Sequence, residues 1–362
     1  MFEVLKSWFD GRRALRELRT TQGKRNTPYL GYFSDQITQA IIAFDGGAHD
    51  RAMQVWQEMH RTFPDLTITS AKALNLLIDM RRFDEADALI LEGRSRYPRL
   101  KAMYAAAFAR VAYRRGDLEE TLRRCESQRR EFPKSADGYM IAANALRDHG
   151  RHEEGEAILG RGVLKLPDEM DLRVLYARSA MARRAWPEAL PRWMEVRRRF
   201  KEHAVGAVGA AECLREMGRY SDAETILNDA HERFEMNPWP IVELANLADA
   251  RGETDRAVEY WESLIRRLPS FEHAYVMGVA AMRKAGQEDK ADELLRRMAL
   301  RSPGDLGVQL EFARSAERGG DTAEAVRRWA RVCEEFPDCD EARVREAEAR
   351  AAMEGRAAPS DR

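Results

Sequence analysis

The sequence predicts an all-α solenoid of nine stacked helix pairs. Three observations support this: a residue that closes each pair recurs every 34 or 35 positions, small residues recur in phase with it, and a turn residue separates two apolar helical stretches in each copy. A fixed period of this length indicates a solenoid. The closing positions are Pro64, Pro98, Pro133, Pro167, Lys201, Glu235, Pro269, Pro303 and Pro337.

Positions counted back from the closing residue fix the phase of the repeat. Small residues recur twelve before it, from Ala52 to Ala325, where we expect two helices to approach closely. Seventeen before it stands a glycine in seven repeats, and glycine ends a helix easily because it accepts a left-handed backbone. Arg81 and Arg184 replace it in repeats 2 and 5, so we expect those turns to be strained or differently built.

The repeat resembles the tetratricopeptide repeat in four features. These are the small residues at these places, the turn glycine, a large apolar residue in the second helix and the closing proline. The resemblance covers about Leu30 to Pro337. It implies antiparallel helix pairs, A and B, stacked into a right-handed superhelix with terminal capping helices and a concave inner face. The fold serves many roles, so the resemblance favours protein or peptide binding without naming a partner.

A second pattern has a period of two repeats. Where helix B carries Trp eight before the closing residue, helix A carries Ala twenty-one before it; elsewhere the pair is Ile or Leu facing Leu or Met. We interpret this as volume compensation between facing residues. Repeat 3 is the exception, with Ala112 facing Cys125, and we expect Tyr104, Phe108 or Tyr113 to fill the gap there.

Residues 1–28 precede the repeats as a basic amphipathic helix and a linker. Seven Lys and Arg against three Asp and Glu give them a local charge of +4. One interpretation is a cap over the open end of repeat 1. The other is a helix that docks on a membrane surface, with aromatic residues at the interface and arginines on anionic lipid. The residues that would dock are Phe2, Leu5, Trp8, Phe9, Arg12 and Arg13.

The repeats themselves fill residues 29–337, with the weakest joints expected at 200–204 and 235–240. Pro238 and Pro240 predict that a helix A begins around Trp239. Pro191 falls inside a helix B, which should therefore begin late or kink there. Residues 338–354 predict a polar C-terminal capping helix, and 355–362 a disordered tail.

Composition excludes several classes of function. The 362 residues carry a formal net charge of −1, whereas a nucleic-acid binder usually has a basic excess. No apolar run is long enough to span a membrane, and no secretory signal is evident. Four cysteines without a CxxC pair suit a reducing compartment, so we expect a cytoplasmic protein, peripheral at a membrane if residues 1–19 dock there.

We find no constellation that predicts catalysis, and we expect no cofactor or metal. The seven histidines are scattered, and His149 and His152 flank a turn without a third ligand nearby. Acidic pairs such as Glu119 and Glu120 lie at helix starts, where the helix dipole accounts for them. No glycine-rich phosphate-binding motif is present.

The inner face of the A helices is the candidate binding surface. By resemblance, it is lined by the residues 23 and 20 before each closing residue. Asn there can bond both groups of a peptide unit, and Arg can grip a carboxylate or phosphate with two hydrogen bonds. The candidate partner-binding residues are Asn75, Arg110, Asn144, Arg147, Arg178, Arg215, Asn246, Arg283 and Arg314.

The leading hypothesis is therefore a non-catalytic scaffold that holds an extended or acidic segment of a protein partner in the concave groove. One alternative is a peripheral membrane adaptor, docked by residues 1–19, that recruits proteins to an envelope or polysaccharide assembly machine. Another is a regulatory subunit of an enzyme complex. Self-association through a solenoid end or the N-terminal helix also stays open.

Overall fold

A computed structural model describes residues 36, 38–40, 42–44, 46–62 and 67–357. The predicted N-terminal helix and linker (1–28) and residues 358–362 lie outside this range. The described residues form α-helices, one short 3-10 helix and the turns that connect them, and they contain no strand. By close contacts it divides into two compact parts, which we call the N-terminal unit (to Ser179) and the C-terminal unit (from Ala180).

In the N-terminal unit, helices α1 to α7 alternate between the B and A positions of successive repeats. Repeat 1 contributes α1 as its helix B, and each later repeat contributes an A and a B helix. The bounds are α1 His49–Thr62, α2 Thr67–Asp79, α3 Phe83–Arg96, α4 Lys101–Arg115, α5 Leu118–Glu131, α6 Asp137–Asp148 and α7 His152–Lys165. A short 3-10 helix, Pro98–Leu100, precedes α4 and accommodates the one extra residue of repeat 3.

Helix α8, Met170–Ala182, is the helix A of repeat 5, and the boundary between the two units falls within it rather than at 200–204 or 235–240. The C-terminal unit continues with the same alternation. Its helices are α9 Trp186–Arg199, α10 Val205–Glu216, α11 Tyr220–Arg233, α12 Trp239–Ala250, α13 Thr254–Arg267, α14 Glu272–Lys284, α15 Glu288–Arg301, α16 Leu306–Arg318, α17 Thr322–Glu335 and α18 Asp340–Ala357.

Two prolines were expected to shape helix starts, and the outcomes differ. Helix α12 begins at Trp239 with Pro240 in its first turn, as predicted. The late start predicted for the helix containing Pro191 is wrong, because α9 begins at Trp186 and places Pro187 in the first turn. Pro191 lies one turn further along the helix. Because proline has no N–H, the helix lacks the one hydrogen bond that residue 191 would donate to the Pro187 carbonyl. The alternative of a kink stays a prediction.

One turn geometry joins the two helices of all nine repeats. Its central residue has positive φ, its N–H bonds the carbonyl three residues back, and the next N–H bonds the carbonyl five residues back. This is the Schellman motif, which satisfies the last carbonyls of helix A. Arg81 and Arg184 build it with φ of 57° and 56°. Those turns are therefore not differently built, and each holds a side chain in the strained left-handed region.

Successive A helices also contact one another within each unit: α2 contacts α4, α4 contacts α6, and α10 contacts α12. Together with the antiparallel pairing, this places equivalent positions of these contacting A helices side by side within each unit. We call the residues 23 and 20 before each closing residue the A-helix face.

The joints between consecutive repeats alternate between apolar and ionic. Odd repeats carry an apolar side chain eleven positions before the closing residue. It shares a core cluster with an apolar side chain of the next repeat, nine positions before that repeat's closing residue. These pairs are Met53 with Leu89, Leu122 with Ile158, Leu190 with Ile226, and Val258 with Leu294.

Even repeats carry an acid eleven before the closing residue. In repeats 2, 6 and 8 an arginine of the following odd repeat binds it. Arg124 lies 3.0 Å from Asp87 and stacks 3.4 Å from the centre of the Phe108 ring. Arg328 binds Asp292 in the same way and stacks on Phe312 at 3.7 Å. The two-repeat period expected from the Trp and Ala residues thus has a counterpart in every joint that lies within one unit.

The tryptophans of the predicted volume pairs lie in the core. Trp56, Trp193, Trp261 and Trp329 are all at most 5% exposed, and Trp329 shares a cluster with Ala316. In repeat 3, Tyr113 packs against the cluster that contains Cys125. Tyr104 fills a different gap: it is fully buried against Gly93, where an added Cβ would lie 2.1 Å from its ring.

Helix α18 occupies the place of a helix A in a tenth repeat. Ala342 and Ala349, 0% and 7% exposed, hold the positions that pack on the preceding repeat, and α18 contacts α17. The helix reaches Ala357, three residues into the segment expected to be tail.

The strained turns generate a first prediction. Replacing Arg184 by Gly should raise the free energy of unfolding by about 0.5–1 kcal/mol, because the left-handed strain of about 1–2 kcal/mol exceeds the cost of a more flexible unfolded chain. The reverse exchange, Gly218→Arg, should destabilise the protein. Urea unfolding of both variants measures this, and an unchanged or lower midpoint for Arg184→Gly would contradict the assignment of strain.

The ionic joints generate a second prediction. Hydrogen bonds from Arg328 lower the pKa of Asp292 and, together with Arg327, that of Glu324 below their ordinary values of 3.8 and 4.5. Carboxylates with lowered pKa stabilise the fold above their ordinary pKa, and this contribution is lost as pH falls through the lowered folded values. Arg328→Met should therefore destabilise the protein by about 2 kcal/mol at neutral pH, with a difference that shrinks below about pH 4.

The control for this variant is Arg331→Met on the same helix, since among the described residues Arg331 pairs only with Glu335 one turn away. Thermal melting between neutral and acidic pH compares the two. A difference between wild type and Arg328→Met that stays constant across this range would be evidence against the ionic joint.

Candidate binding surface

The nine predicted partner-binding residues all lie on A helices, but most are already engaged by neighbours. Arg110 donates to Asn75 Oδ1 at 3.1 Å, and Arg147 pairs with Asp148 at 3.0 Å. Asp148 in turn accepts the Tyr113 hydroxyl, so this acid is shared by two neighbouring A helices. Arg114 pairs with Asp79 across the same surface. The A-helix face of the N-terminal unit is therefore crossed by lateral polar contacts from one repeat to the next.

Asn144 and Arg178 differ from the other candidates. Within the part of the chain that the structure describes, neither side chain makes a hydrogen bond or an ion pair. Asn144 is half-buried and Arg178 exposed, and both occupy the position 23 before the closing residue, in neighbouring repeats. Arg110 occupies the same position in repeat 3 and, among the described residues, bonds the Asn75 amide rather than a carboxylate.

Charge on this surface is therefore unbalanced. Arg114 and Arg147 have carboxylate partners, whereas among the described residues Arg110 and Arg178 have none. A guanidinium stays charged at any physiological pH and offers a planar fork that matches a carboxylate. With the free amide of Asn144 between them, these two arginines make a surface suited to an acidic, extended ligand.

In the C-terminal unit the predicted residues hold the fold together. Glu243 is 6% exposed and accepts from Arg215 Nε at 2.7 Å and from the Asn246 amide at 2.9 Å. Removing Arg215 would leave a buried charge without its main partner, so Arg215 and Asn246 serve this carboxylate first. The sequence prediction, which treated exposed Asn246 as a peptide-binding group, missed Glu243 because it lies on a different turn of the helix.

A second network fixes the last two candidates. Glu311 accepts from Arg314 at 2.7 Å and Arg283 at 3.3 Å, and Arg314 also binds Glu341 of α18 at 2.6 Å. Arg314 therefore joins the last repeat to α18, and Arg283 joins repeats 8 and 9. Two further nitrogens of Arg283, Nε and Nη2, are buried without a hydrogen-bond partner among the described residues.

An aromatic patch that sequence reasoning did not assign lies at the start of two A helices in the C-terminal unit. Trp239 is 44% exposed, and its ring meets Phe271 edge-on at 5.9 Å. His273 contacts both rings and also Trp261, and Val276 is 57% exposed one turn further along α14. The bracketing prolines identified Trp239 as a helix start, but its exposure depends on packing between repeats.

The predicted docking residues Phe2, Leu5, Trp8, Phe9, Arg12 and Arg13 lie outside the described residues. Among the described helices, none combines the length and apolar character needed to cross a membrane. No group of three or more His, Cys, Asp or Glu in the described chain has the arrangement of a metal site. Burial raises the pKa of Cys125 and Cys213 to about 12, so these thiols stay protonated and serve as packing groups.

Comparison with known proteins agrees with the helix-pair architecture. A family model for the tetratricopeptide repeat matches residues 308–338, which cover most of α16 and all of α17. No curated protein matches the chain.

Solved structures similar to the chain include a tetratricopeptide repeat protein from Parabacteroides merdae (13% identity, 68% of this chain and 98% of that one, TM-score 0.45). Yeast Tom70 matches with 11% identity over 99% of this chain and 95% of its own, at a TM-score of 0.44. The Cut9–Hcn1 hetero-tetramer of APC/C matches with 14% identity over 93% of this chain and 58% of its own, at a TM-score of 0.40.

The contacts divide the candidates into structural and available residues, and this division can be tested. Arg215→Ala should lower the free energy of unfolding by about 3 kcal/mol, because it strands the buried Glu243 carboxylate. Adding Glu243→Gln should restore part of the loss. Arg178→Ala, at an exposed position, should change stability by less than about 0.5 kcal/mol. Equal effects of Arg215→Ala and Arg178→Ala in denaturant unfolding would refute the division.

Proposed function

We propose that this tetratricopeptide-repeat protein is a non-catalytic scaffold. It binds an extended, acidic segment of a protein partner on the A-helix face of its N-terminal unit. The observation that carries the proposal is that Asn144 and Arg178 stand in register in neighbouring repeats without intramolecular partners among the described residues, while Arg110 in repeat 3 lacks a carboxylate. The tetratricopeptide repeat generally serves protein binding, and this supports the assignment of a protein ligand.

The three side chains have separate roles in this proposal. The Asn144 amide, with a donor and an acceptor, bonds one peptide unit of the extended partner. Arg178 and Arg110 bind carboxylates of the partner, each through two N–H groups. Packed helices lie about 8–10 Å apart, and an extended chain advances about 3.3 Å per residue, so about three partner residues span one repeat. The preferred ligand therefore carries acids about six residues apart.

Polar contacts on this face and beside it join neighbouring A helices. The bonds from Arg110 to Asn75 and from Arg114 to Asp79 tie adjacent A helices together before any ligand arrives. A surface that is already ordered loses little conformational freedom when it binds. We expect the affinity to fall with added salt, because exposed charge pairs are screened.

The test is affinity capture from native lysate with the full chain, comparing wild type with Asn144→Ala/Arg178→Ala. The proposal predicts a partner that wild type retains and the double variant loses, at an unchanged melting temperature. The control is Arg266→Ala, which removes a similarly exposed arginine from helix B. A partner retained by the double variant and lost by Arg266→Ala would move the binding site to the B helices.

A synthetic ligand tests the chemistry directly. Labelled peptides with two Asp residues about six positions apart should bind wild type more tightly than the same peptides with Asn in those places. Arg178→Ala should remove this preference, and Arg178→Lys should restore only part of it, since lysine lacks the planar fork. Equal binding of the Asp and Asn peptides would contradict a role for the arginines.

A further inference from the structure

Repeat 1 exposes helix A positions that most later repeats bury. In this fold, one side of each repeat packs on the repeat before it, and we call that side the upstream face. It includes the helix A residues 25 and 22 before the closing residue and the helix B residue nine before it. In repeat 7, for example, Leu244 and Leu247 share a core cluster with Leu227 of repeat 6.

The exposure of equivalent positions shows how unusual repeat 1 is. Twenty-two before the closing residue, Leu76, Val111, Ala145, Cys213 and Leu247 are all between 0% and 5% exposed. Ile42 holds this position in repeat 1 and is 66% exposed. Twenty-five before it, Ala73, Ala142, Ala210 and Leu244 are at most 2% exposed, whereas Gln39 is exposed. The described chain thus leaves the upstream face of repeat 1 uncovered.

The chemistry of this face indicates what covers it. In the odd repeats 3 and 9, the helix B residue of the upstream face is an arginine, Arg124 or Arg328, and the preceding repeat supplies its acid. Repeat 7 carries Tyr260 there, and its Arg256 binds the acid of repeat 6 instead. Repeat 1 carries Val55, which packs in an apolar cluster and cannot pair with an acid, so an apolar cover suits this face.

The chain itself carries such a cover within reach. Residues 1–35 directly precede helix A of repeat 1, and they begin with the apolar stripe Phe2, Leu5, Trp8 and Phe9. The link between the stripe and residue 36 exceeds 20 residues, which can span more than about 60 Å when extended. The stripe therefore reaches any point of the upstream face without constraint from chain length.

We propose that residues 2–9 bind the upstream face of repeat 1 in the same molecule and cover Ile42. The apolar stripe takes the place of the missing preceding helix B, and Arg12 and Arg13 remain outside the contact in water. This assignment concerns the end of the solenoid and is independent of the ligand proposed for the A-helix face.

The test is a double-mutant cycle on the full chain, with Ile42→Asp on the face and Leu5→Asp/Trp8→Asp on the stripe. Each should lower the melting temperature by about 2–4 °C, and the combined variant should melt no lower than the more affected of the two. Ile42→Leu should melt like wild type. The control is Leu164→Asp, because Leu164 is 84% exposed on a helix B and should tolerate the charge.

Three outcomes would overturn the proposal. The first is an Ile42→Asp variant that melts like Leu164→Asp, and the second is additive losses in the combined variant. The third is a stripe variant with unchanged melting that no longer floats with phosphatidylserine-containing vesicles, which would assign the stripe to a membrane. Light scattering completes the test: a monomeric wild type supports contact within one molecule, and a dimer that Ile42→Asp dissociates refutes it.

Discussion

The structure depends on one backbone constraint, the left-handed residue that joins helix A to helix B in each repeat. All nine turns have a central residue with positive φ and the same two hydrogen bonds. The repeated turn gives every repeat the same order of helix, turn and helix, so positions counted from the closing residue can be compared between repeats. Repeats 2 and 5 keep this geometry although arginine replaces glycine, which shows that packing of the helix pair prevails over local backbone preference.

The contacts between consecutive repeats alternate with a period of two repeats. Apolar pairs such as Val258 with Leu294 alternate with arginine–acid pairs such as Arg328 with Asp292. The ionic joints carry groups that need one specific partner, whereas the apolar joints tolerate any shape of similar volume. An acid in an even repeat thus meets an arginine of the next repeat, and an apolar side chain in an odd repeat meets an apolar side chain of the next.

Much of this was predictable from the sequence, because solenoid contacts are local. Period, phase, helix pairs, turns and the start of α12 at Trp239 all follow from residues within one repeat. What escaped prediction depends on neighbours. The sequence pattern marks Asn246 as a binding residue, but its amide donates a hydrogen bond to Glu243. Arg215 donates to the same carboxylate. A helix that begins at Trp186 despite Pro191 was missed because a proline early in a helix removes only one bond.

Contacts between neighbouring repeats also reduce the number of candidate binding residues. The nine candidate residues occupy two positions of the repeat, 23 and 20 before the closing residue. Neighbours engage most of them, and Asn144 and Arg178 are the ones left unbonded among the described residues. Proteins that hold partners need a rigid frame and a few groups with unsatisfied bonding capacity. The repeat pattern alone does not distinguish arginines bonded within the fold from those proposed to bind a partner, since both kinds occupy the same positions in the repeat.

Site-specific photocrosslinking tests whether a partner contacts the proposed A-helix face of the N-terminal unit. A photoreactive residue is placed at position 174, one turn before Arg178 on α8, or at position 164 on the helix B of the preceding repeat. We expect a partner to crosslink from position 174 and not from position 164. Crosslinking from position 164 alone would show that the partner binds the B helices, and the proposed surface would be wrong.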